Sequence, residues 1–240
     1  MGASVASERI RDYNITMQLR YSTILFDFDG TLLESGPAIL TTMRIVFSEM
    51  GLTDLAAWSE EKLWPLVGPP LWEGFSAYLK LPPEQAQQAV DLYRSHAADE
   101  AALALLRPYP GIPEMLKRLR EHGAKIALAT AKHYRSSRLH LRLAGLTDLV
   151  DYVSAPRTDR ACNKTQLIFE AMEALSADPA HTIMVGDRLY DVDAAKCAGI
   201  PGVGVLYGYG SREELETHGA THIVQSVKQL YSLLVEQEEL

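Results

Sequence analysis

The stretch Ile24-Leu25-Phe26-Asp27-Phe28-Asp29-Gly30-Thr31 decides how this chain is read. It is a short apolar run that stops in two carboxylates and a glycine. Residues two apart on a strand point to the same face. Asp27 and Asp29 are therefore expected side by side at the end of a buried strand, with Phe28 turned away. Two unpaired carboxylates in that position repel each other and are costly to desolvate. A chain that keeps such a pair uses it for a cation or for chemistry. The simpler reading is a turn, because Asp-Gly is a turn dipeptide. What separates the two readings lies downstream.

From about residue 110 onward the chain alternates. The runs 125–130 (KIALAT), 151–154 (DYVS), 182–187 (TIMVGD) and 202–207 (GVGVLY) are short and apolar. Helical patterns at 112–122, 134–144 and 190–198 lie between them and stop at Gly123, Gly145 and Gly199, the position after a helix end where glycine is favoured. Strands alternating with helices predict an α/β fold, a parallel sheet covered on both faces, which the strand 24–29 joins by composition. Residues 34–107 break the rhythm. The segments 37–50, 60–66, 71–81 and 83–106 read as helices with no strand between them. The run Arg107-Pro108-Tyr109-Pro110-Gly111 closes that insertion as a hinge or linker. The expected division is an N-terminal extension over 1–20, poorly ordered, an α/β core from 21–33 and 108–240, and a helical domain over 34–107.

The 240 residues are 47% hydrophobic and 22% charged, with net charge −8. An acidic chain of this kind is not a non-specific nucleic-acid binder. Its two cysteines, Cys162 and Cys197, do not make a disulfide framework, and a reducing interior is the simplest setting. No apolar run approaches the roughly 20 residues of a membrane span. The first residues carry Glu8, Arg9, Arg11 and Asp12 without an apolar core, so they do not read as a secretory signal. The expected location is cytoplasmic.

Open parallel sheets bind ligands at the carboxyl ends of their strands, and the polar residues of this chain gather there. The first strand ends in Asp27 and Asp29. The second ends in Thr130, followed by Ala131 and Lys132. The strand at 182 ends in Gly186-Asp187, with Asp191 four residues on across a strand-to-helix turn. Lys164 opens a helix over 164–175, where main-chain amides and a cation together favour an anion.

In order and spacing this set resembles the haloacid dehalogenase superfamily of phosphohydrolases. The motifs are Asp-Phe-Asp-Gly-Thr at 27–31, Thr130, Lys164 and Gly186-Asp187-Arg188-Leu189-Tyr190-Asp191. Asn163-Lys164, 186–193 and 205–215 (VLYGYGSREEL) look like its phosphoglycolate phosphatase-like branch, which includes bacterial 5′-nucleotidases. The resemblance implies a Rossmann-like core carrying a helical cap of the family's first type (C1). It also implies the roles. Asp27 would be the nucleophile, forming an aspartyl-phosphate. Asp29 would protonate the leaving alkoxide and then activate water. Thr130 would hydrogen-bond a phosphoryl oxygen, helped by the Ala131 and Gly30 amides, and Lys164 would balance its charge. Asp27, Asp187 and the Asp29 carbonyl would bind Mg²⁺, with Asp191 supporting the metal or anchoring Lys164. Three ionised carboxylates against one lysine leave the site negative before a phosphate arrives, so a hard dication with oxygen ligands is expected.

The expected reaction is Mg²⁺-dependent hydrolysis of a small phosphorylated metabolite, of the phosphoglycolate or nucleoside 5′-monophosphate type, by a monomer or homodimer with no nucleic-acid or membrane partner. The rivals are a phosphomutase acting on a sugar phosphate and a non-catalytic module that binds a phospho-ligand. Asp29 argues against dehalogenation, which uses one aspartate. The glycine-rich 202–210 lacks the G-x-G-x-x-G spacing and is not a dinucleotide loop. The basic run from Lys132 to Arg142 reads mostly as a solvated helix face, with Lys132 placed to attract an anion. Trp58, Trp64 and Trp72 are expected to fill the core of the cap, with Trp72 as a candidate for facing the site.

Overall fold

Six strands build the central sheet of the computed structural model, which describes residues 16–158 and 163–238. In chain order the strands are β1 (Thr16–Leu19), β2 (Thr23–Phe26), β3 (Leu33–Glu34), β4 (Arg107–Pro108), β5 (Lys125–Ala129), β6 (Tyr152–Ser154), β7 (Thr182–Gly186), β8 (Gly202–Val205), β9 (His222–Val224) and β10 (Val235–Glu238). The sheet runs β6-β5-β2-β7-β8-β9, and every neighbouring pair in it is parallel. From β2 the chain goes to β5 and β6 on one side, then returns to β7 on the other. The order therefore reverses at β2, which opens a crevice at the carboxyl ends of β5, β2 and β7.

The sheet is buried on both faces, and its central strands β2 and β7 are buried at every position rather than at alternate ones. Ile24 and Phe26 of β2 face one way, into a core with Ile112, Met115, Leu116, Leu119, Leu230 and Leu234. Leu25 faces the other way, among Leu167, Ile168, Ala171, Ala194 and Ala195. Helices Ile112–Glu121 and Val227–Leu234 thus cover one side, and Lys164–Ala174 and Leu189–Cys197 the other. Gly123, Gly145 and Gly199 each follow a helix end with φ of +88°, +68° and +72°. The Ala124 amide bonds back to the Leu119 carbonyl at 2.9 Å, closing that helix as such a glycine permits.

Residues between β3 and β4 form the helical cap. Its core is Met43, Val46 and Phe47 against Leu63, Leu66, Phe75, Ala89 and Val90, with Phe47 and Phe75 edge to face at 6.2 Å. β3 and β4 pair antiparallel, Leu33 with Pro108 and Glu34 with Arg107, so both crossings between core and cap are tied together.

Several expectations need correction. Of the extension 1–20, residues 1–15 lie outside the described residues, and Thr16–Leu19 is not frayed: it forms β1 against β10, with Arg20 Nε 3.0 Å from Glu236 Oε1. The first strand stops at Phe26, so Asp27 to Asp29 belong to the turn that follows. There the Gly30, Leu32 and Leu33 amides are tied to Leu33 and Phe28 carbonyls. The helix expected over 83–106 is two, Pro83–Ser95 and Glu100–Leu103. It breaks where His96 turns its ring to Asp99 (2.5 Å) and Glu49 (3.0 Å), and Asp99 takes an extended backbone to open the second helix. The tryptophans do not fill the cap core: Trp58 packs at its margin, and Trp64 and Trp72 stay 36% and 43% exposed. Phenylalanines and leucines fill it instead.

Candidate active site

Asp27 follows β2 directly, and its amide donates to the Val185 carbonyl of β7 at 2.8 Å. That bond fixes the first carboxylate against the strand that delivers the second, because Asp187 follows β7. Asp191 lies in the first turn of helix Leu189–Cys197, and its Oδ2 accepts the Arg188 amide at 3.0 Å. Carboxylates are favoured at that end of a helix. Carboxylate oxygens of Asp27, Asp187 and Asp191 lie within 4.8 Å of one another, and all three residues are buried. Glycines permit the close approach. Gly30 holds φ of +80° and a Cβ on it would collide with the Asp187 carboxylate, and a Cβ on Gly186 would collide with Asp191.

Lys164 is the cation of this cluster. It opens helix Lys164–Ala174 behind the side-chain cap of Asn163. Its Nζ stands 2.9 Å from Asp27 Oδ1 and also contacts Asp191 Oδ1. Despite its burial, Asp191 and Asp27 hold it firmly charged, with a pKa above the usual lysine range. One cation does not balance three carboxylates. Burial, with Asp191 beside it and Lys164 opposing, pushes Asp27 up to about 6. Burial, then Asp191 and Asp27, push Asp187 well above the usual carboxylate range. Two neutral donors partly compensate: the Thr31 hydroxyl reaches Asp187 Oδ1 at 3.2 Å and the Tyr209 amide reaches Oδ2 at 2.8 Å. A buried all-oxygen donor set with surplus negative charge fits a hard dication of the Mg²⁺ type.

Asp29 is separate from this group. Its carboxylate turns to Lys132, whose Nζ lies 2.9 and 3.0 Å from its two oxygens. Burial is the largest influence and would raise its pKa, but the Lys132 charge and the hydrogen bonds to the carboxylate together outweigh it and hold it below the usual range. Asp27 and Asp29 are thus close in sequence and paired to different lysines, rather than sharing one strand face. Thr130 follows β5, buried, with its amide on the Ser154 carbonyl at 3.1 Å and its hydroxyl accepting the Lys132 amide at 3.3 Å. Thr130, Ala131, Lys164, Asp27 and Asp29 all line one cavity of about 360 Å³ between core and cap, and Trp72 lines it from the cap.

Sequence reasoning missed the Asp29–Lys132 pair, the Thr31 and Tyr209 donors, and His140. His140 lies in the basic run expected to be mostly solvated, yet it is buried against this cavity. Burial, with the Lys132 charge adding, pushes it down to about 4.

Residues 24–205 match the haloacid dehalogenase-like hydrolase family. The chain belongs to this family. It is similar to a 5′-nucleotidase of Pseudomonas aeruginosa, 30% identical over 219 residues, covering 90% of this chain and 96% of that protein. It is also similar to a phosphoglycolate phosphatase of Caulobacter vibrioides, 32% identical over 216 residues, covering 87% and 88%. The crystal structure of a predicted phosphatase from Clostridium acetobutylicum shares the fold with a TM-score of 0.82 at 33% identity, covering 89% of this chain and 97% of that one. This haloacid dehalogenase-like protein is an enzyme, a phosphoric monoester hydrolase. No helix among the described residues is long and apolar enough to cross a membrane.

Proposed function

We propose that the protein hydrolyses a small phosphorylated metabolite in a Mg²⁺-dependent reaction, with Asp27 as the nucleophile. One observation carries the reading. The Asp27 carboxylate sits in a buried cluster with Lys164, Asp187 and Asp191 and opens into the cavity under the cap. An Asp27 oxygen attacks phosphorus, the bond from phosphorus to the ester oxygen breaks, and its electron pair stays on that oxygen as Asp29 supplies the proton. The aspartyl-phosphate is then hydrolysed by water, with Asp29 as the base. Thr130 and the Ala131 amide bind phosphoryl oxygens from the end of β5, and Lys164 opposes their charge. Asp27, Asp187, Asp191 and the Asp29 carbonyl are the residues that would hold the ion. Bound there, Mg²⁺ supplies positive charge to the carboxylates and the phosphoryl oxygens together. The cap shuts water out of the cavity while Asp27 attacks and opens to release product.

The relatives named for phosphoglycolate and for 5′-nucleotides set the substrate range to test first. The setting we propose is cytoplasmic, consistent with the free, exposed Cys197, and the working form a monomer or homodimer with no nucleic-acid or membrane partner.

Phosphate release from p-nitrophenyl phosphate and a panel of phosphorylated metabolites, with and without Mg²⁺, tests the reading. Asp27→Asn should abolish release while the circular dichroism spectrum is kept. Equal release by that variant removes Asp27 as nucleophile, and isomerisation of a sugar phosphate with little net release makes the protein a mutase.

A further inference from the structure

The cavity under the cap is unevenly charged. Asp27, Asp29 and Lys164 mark its reacting end. Beyond them its walls carry two cations, Lys132 and Arg94, beside the His133 and His140 rings, which burial holds on the neutral side, and among the described residues no other aspartate or glutamate lines it. Lys132 and Arg94 thus place positive charge beyond the reacting end, in a chain of net charge −8. Charge of one sign in a low-dielectric cleft selects a ligand of the other sign.

Lys132 stands at the boundary between the two ends. Its main chain is fixed, the amide on Thr130 Oγ1 at 3.3 Å and the carbonyl accepting the Ser137 hydroxyl at 3.2 Å. Its side chain is 11% exposed, and Asp29 is its hydrogen-bonded partner among the described residues, through both oxygens. An ammonium has three donors, so one is left for the cavity. Asp29 has to reach the ester oxygen of the substrate, and Lys132 is one hydrogen bond from Asp29. Any substituent a few bonds beyond that ester oxygen therefore meets Lys132.

We propose that the leaving group of the substrate carries a second anionic group, a carboxylate or a phosphate, and that Lys132 is the specificity-determining residue that reads it. The inference rests on the phosphomonoester hydrolysis proposed above and narrows its substrate class. The second anion gives Lys132 a partner in exchange for Asp29, and the Asp29 carboxyl is then free to turn to the ester oxygen. A neutral leaving group gives Lys132 no such partner and leaves both Asp29 oxygens engaged. Binding of the right leaving group and availability of the acid are thus one event, which is how differential binding becomes rate.

The test compares esters matched in size: phosphoglycolate with hydroxyethyl phosphate, and phosphoglycerate with glycerol phosphate. The wild type should favour the charged member of each pair by about tenfold to a hundredfold in kcat/KM, the worth of one charged hydrogen bond. In Lys132→Met that ratio should fall to within about threefold of one, and Lys132→Arg should restore most of it. A wild-type ratio near one, or a preference that survives Lys132→Met, overturns the proposal. If Lys132→Met is inactive, calorimetric binding of phosphonopropionate against propylphosphonate makes the same comparison without turnover, and equal discrimination by wild type and variant overturns it. The parent reading fails differently, by the absence of phosphate release from every ester, p-nitrophenyl phosphate included.

Discussion

Lys164 and Asp27 meet at 2.9 Å, and the same ammonium reaches on to Asp191, so a single buried cation joins the carboxylate after β2 to the first turn of helix Leu189–Cys197. The pair explains how the sheet tolerates acidic groups that are almost wholly out of water. Removing one partner of a buried pair is costly because the other is left charged and alone, roughly 3–5 kcal/mol in typical cases.

Lys164→Met should therefore lower the melting temperature of the metal-free protein by roughly 6–20 °C, taking about 2–4 °C per kcal/mol for a chain of this size. Saturating Mg²⁺ should recover part of the loss, since a bound cation replaces the missing charge. Differential scanning calorimetry with and without Mg²⁺ reads both effects, and an unchanged melting temperature without metal would show that the ammonium does not compensate the carboxylates.

The unbalanced cluster also sets a pH dependence. Asp27 has its folded pKa raised to about 6 from an ordinary value of 3.8. The folded state therefore binds the proton more tightly than the unfolded chain between those values. This group's contribution to stability falls as pH rises through that window, and the penalty is complete above it. In EDTA, acidification from pH 7 to 5 should stabilise the wild type relative to Asp27→Asn, which lacks the titrating group. With Mg²⁺ present the trend should reverse, because binding requires the ionised carboxylates. Parallel slopes of melting temperature against pH for the two proteins in EDTA would remove Asp27 as the source.

Asp187→Asn separates charge from packing in the same cluster. The amide can still accept from Thr31 or Tyr209 while shedding a charge that burial disfavours. The metal-free variant should melt at or above the wild type, and its Mg²⁺-dependent shift should vanish together with turnover. A wild-type shift in this variant would place the ion elsewhere.

How much of this was legible in the sequence follows from what each feature depends on. Five strands of the sheet and the glycines at 123, 145 and 199 are local matters of side-chain pattern and backbone freedom, and, the end of β2 apart, they stand at the expected places within a residue or two. β2 ends earlier than the pattern suggests because Asp27-Phe28-Asp29 continues the alternation of a strand, while the backbone turns after Asp27 and the Phe28 carbonyl accepts the Leu32 and Leu33 amides. The carboxylate trio was visible because each member ends a strand or starts a helix at the same edge of a parallel sheet. Its finer wiring was not. Whether Asp29 pairs with Lys132 or stands beside Asp27 depends on the distance between the ends of β2 and β5, which no spacing along the chain encodes. The same holds for Tyr209, whose turn after β8 reaches both Asp187 and the start of the cap.

That double contact makes Tyr209 a link between the carboxylates and cap movement. Its amide donates to Asp187, and its hydroxyl accepts the Ser35 and Gly36 amides at 2.9 and 2.5 Å, where the chain leaves β3 for the first cap helix, while its ring stacks on Trp64 at 5.5 Å. Tyr209→Phe keeps the stack and the Asp187 contact and deprives the two hinge amides of their acceptor, at about 1 kcal/mol for each. The Ser35 and Gly36 amides should then exchange with deuterium about fivefold or more faster, with the core strands unchanged. Steady-state turnover should change through the opening and closing of the cap, kcat and KM together, rather than through loss of the chemical step. Unaltered exchange at those two amides would show that the hydroxyl does not hold the hinge.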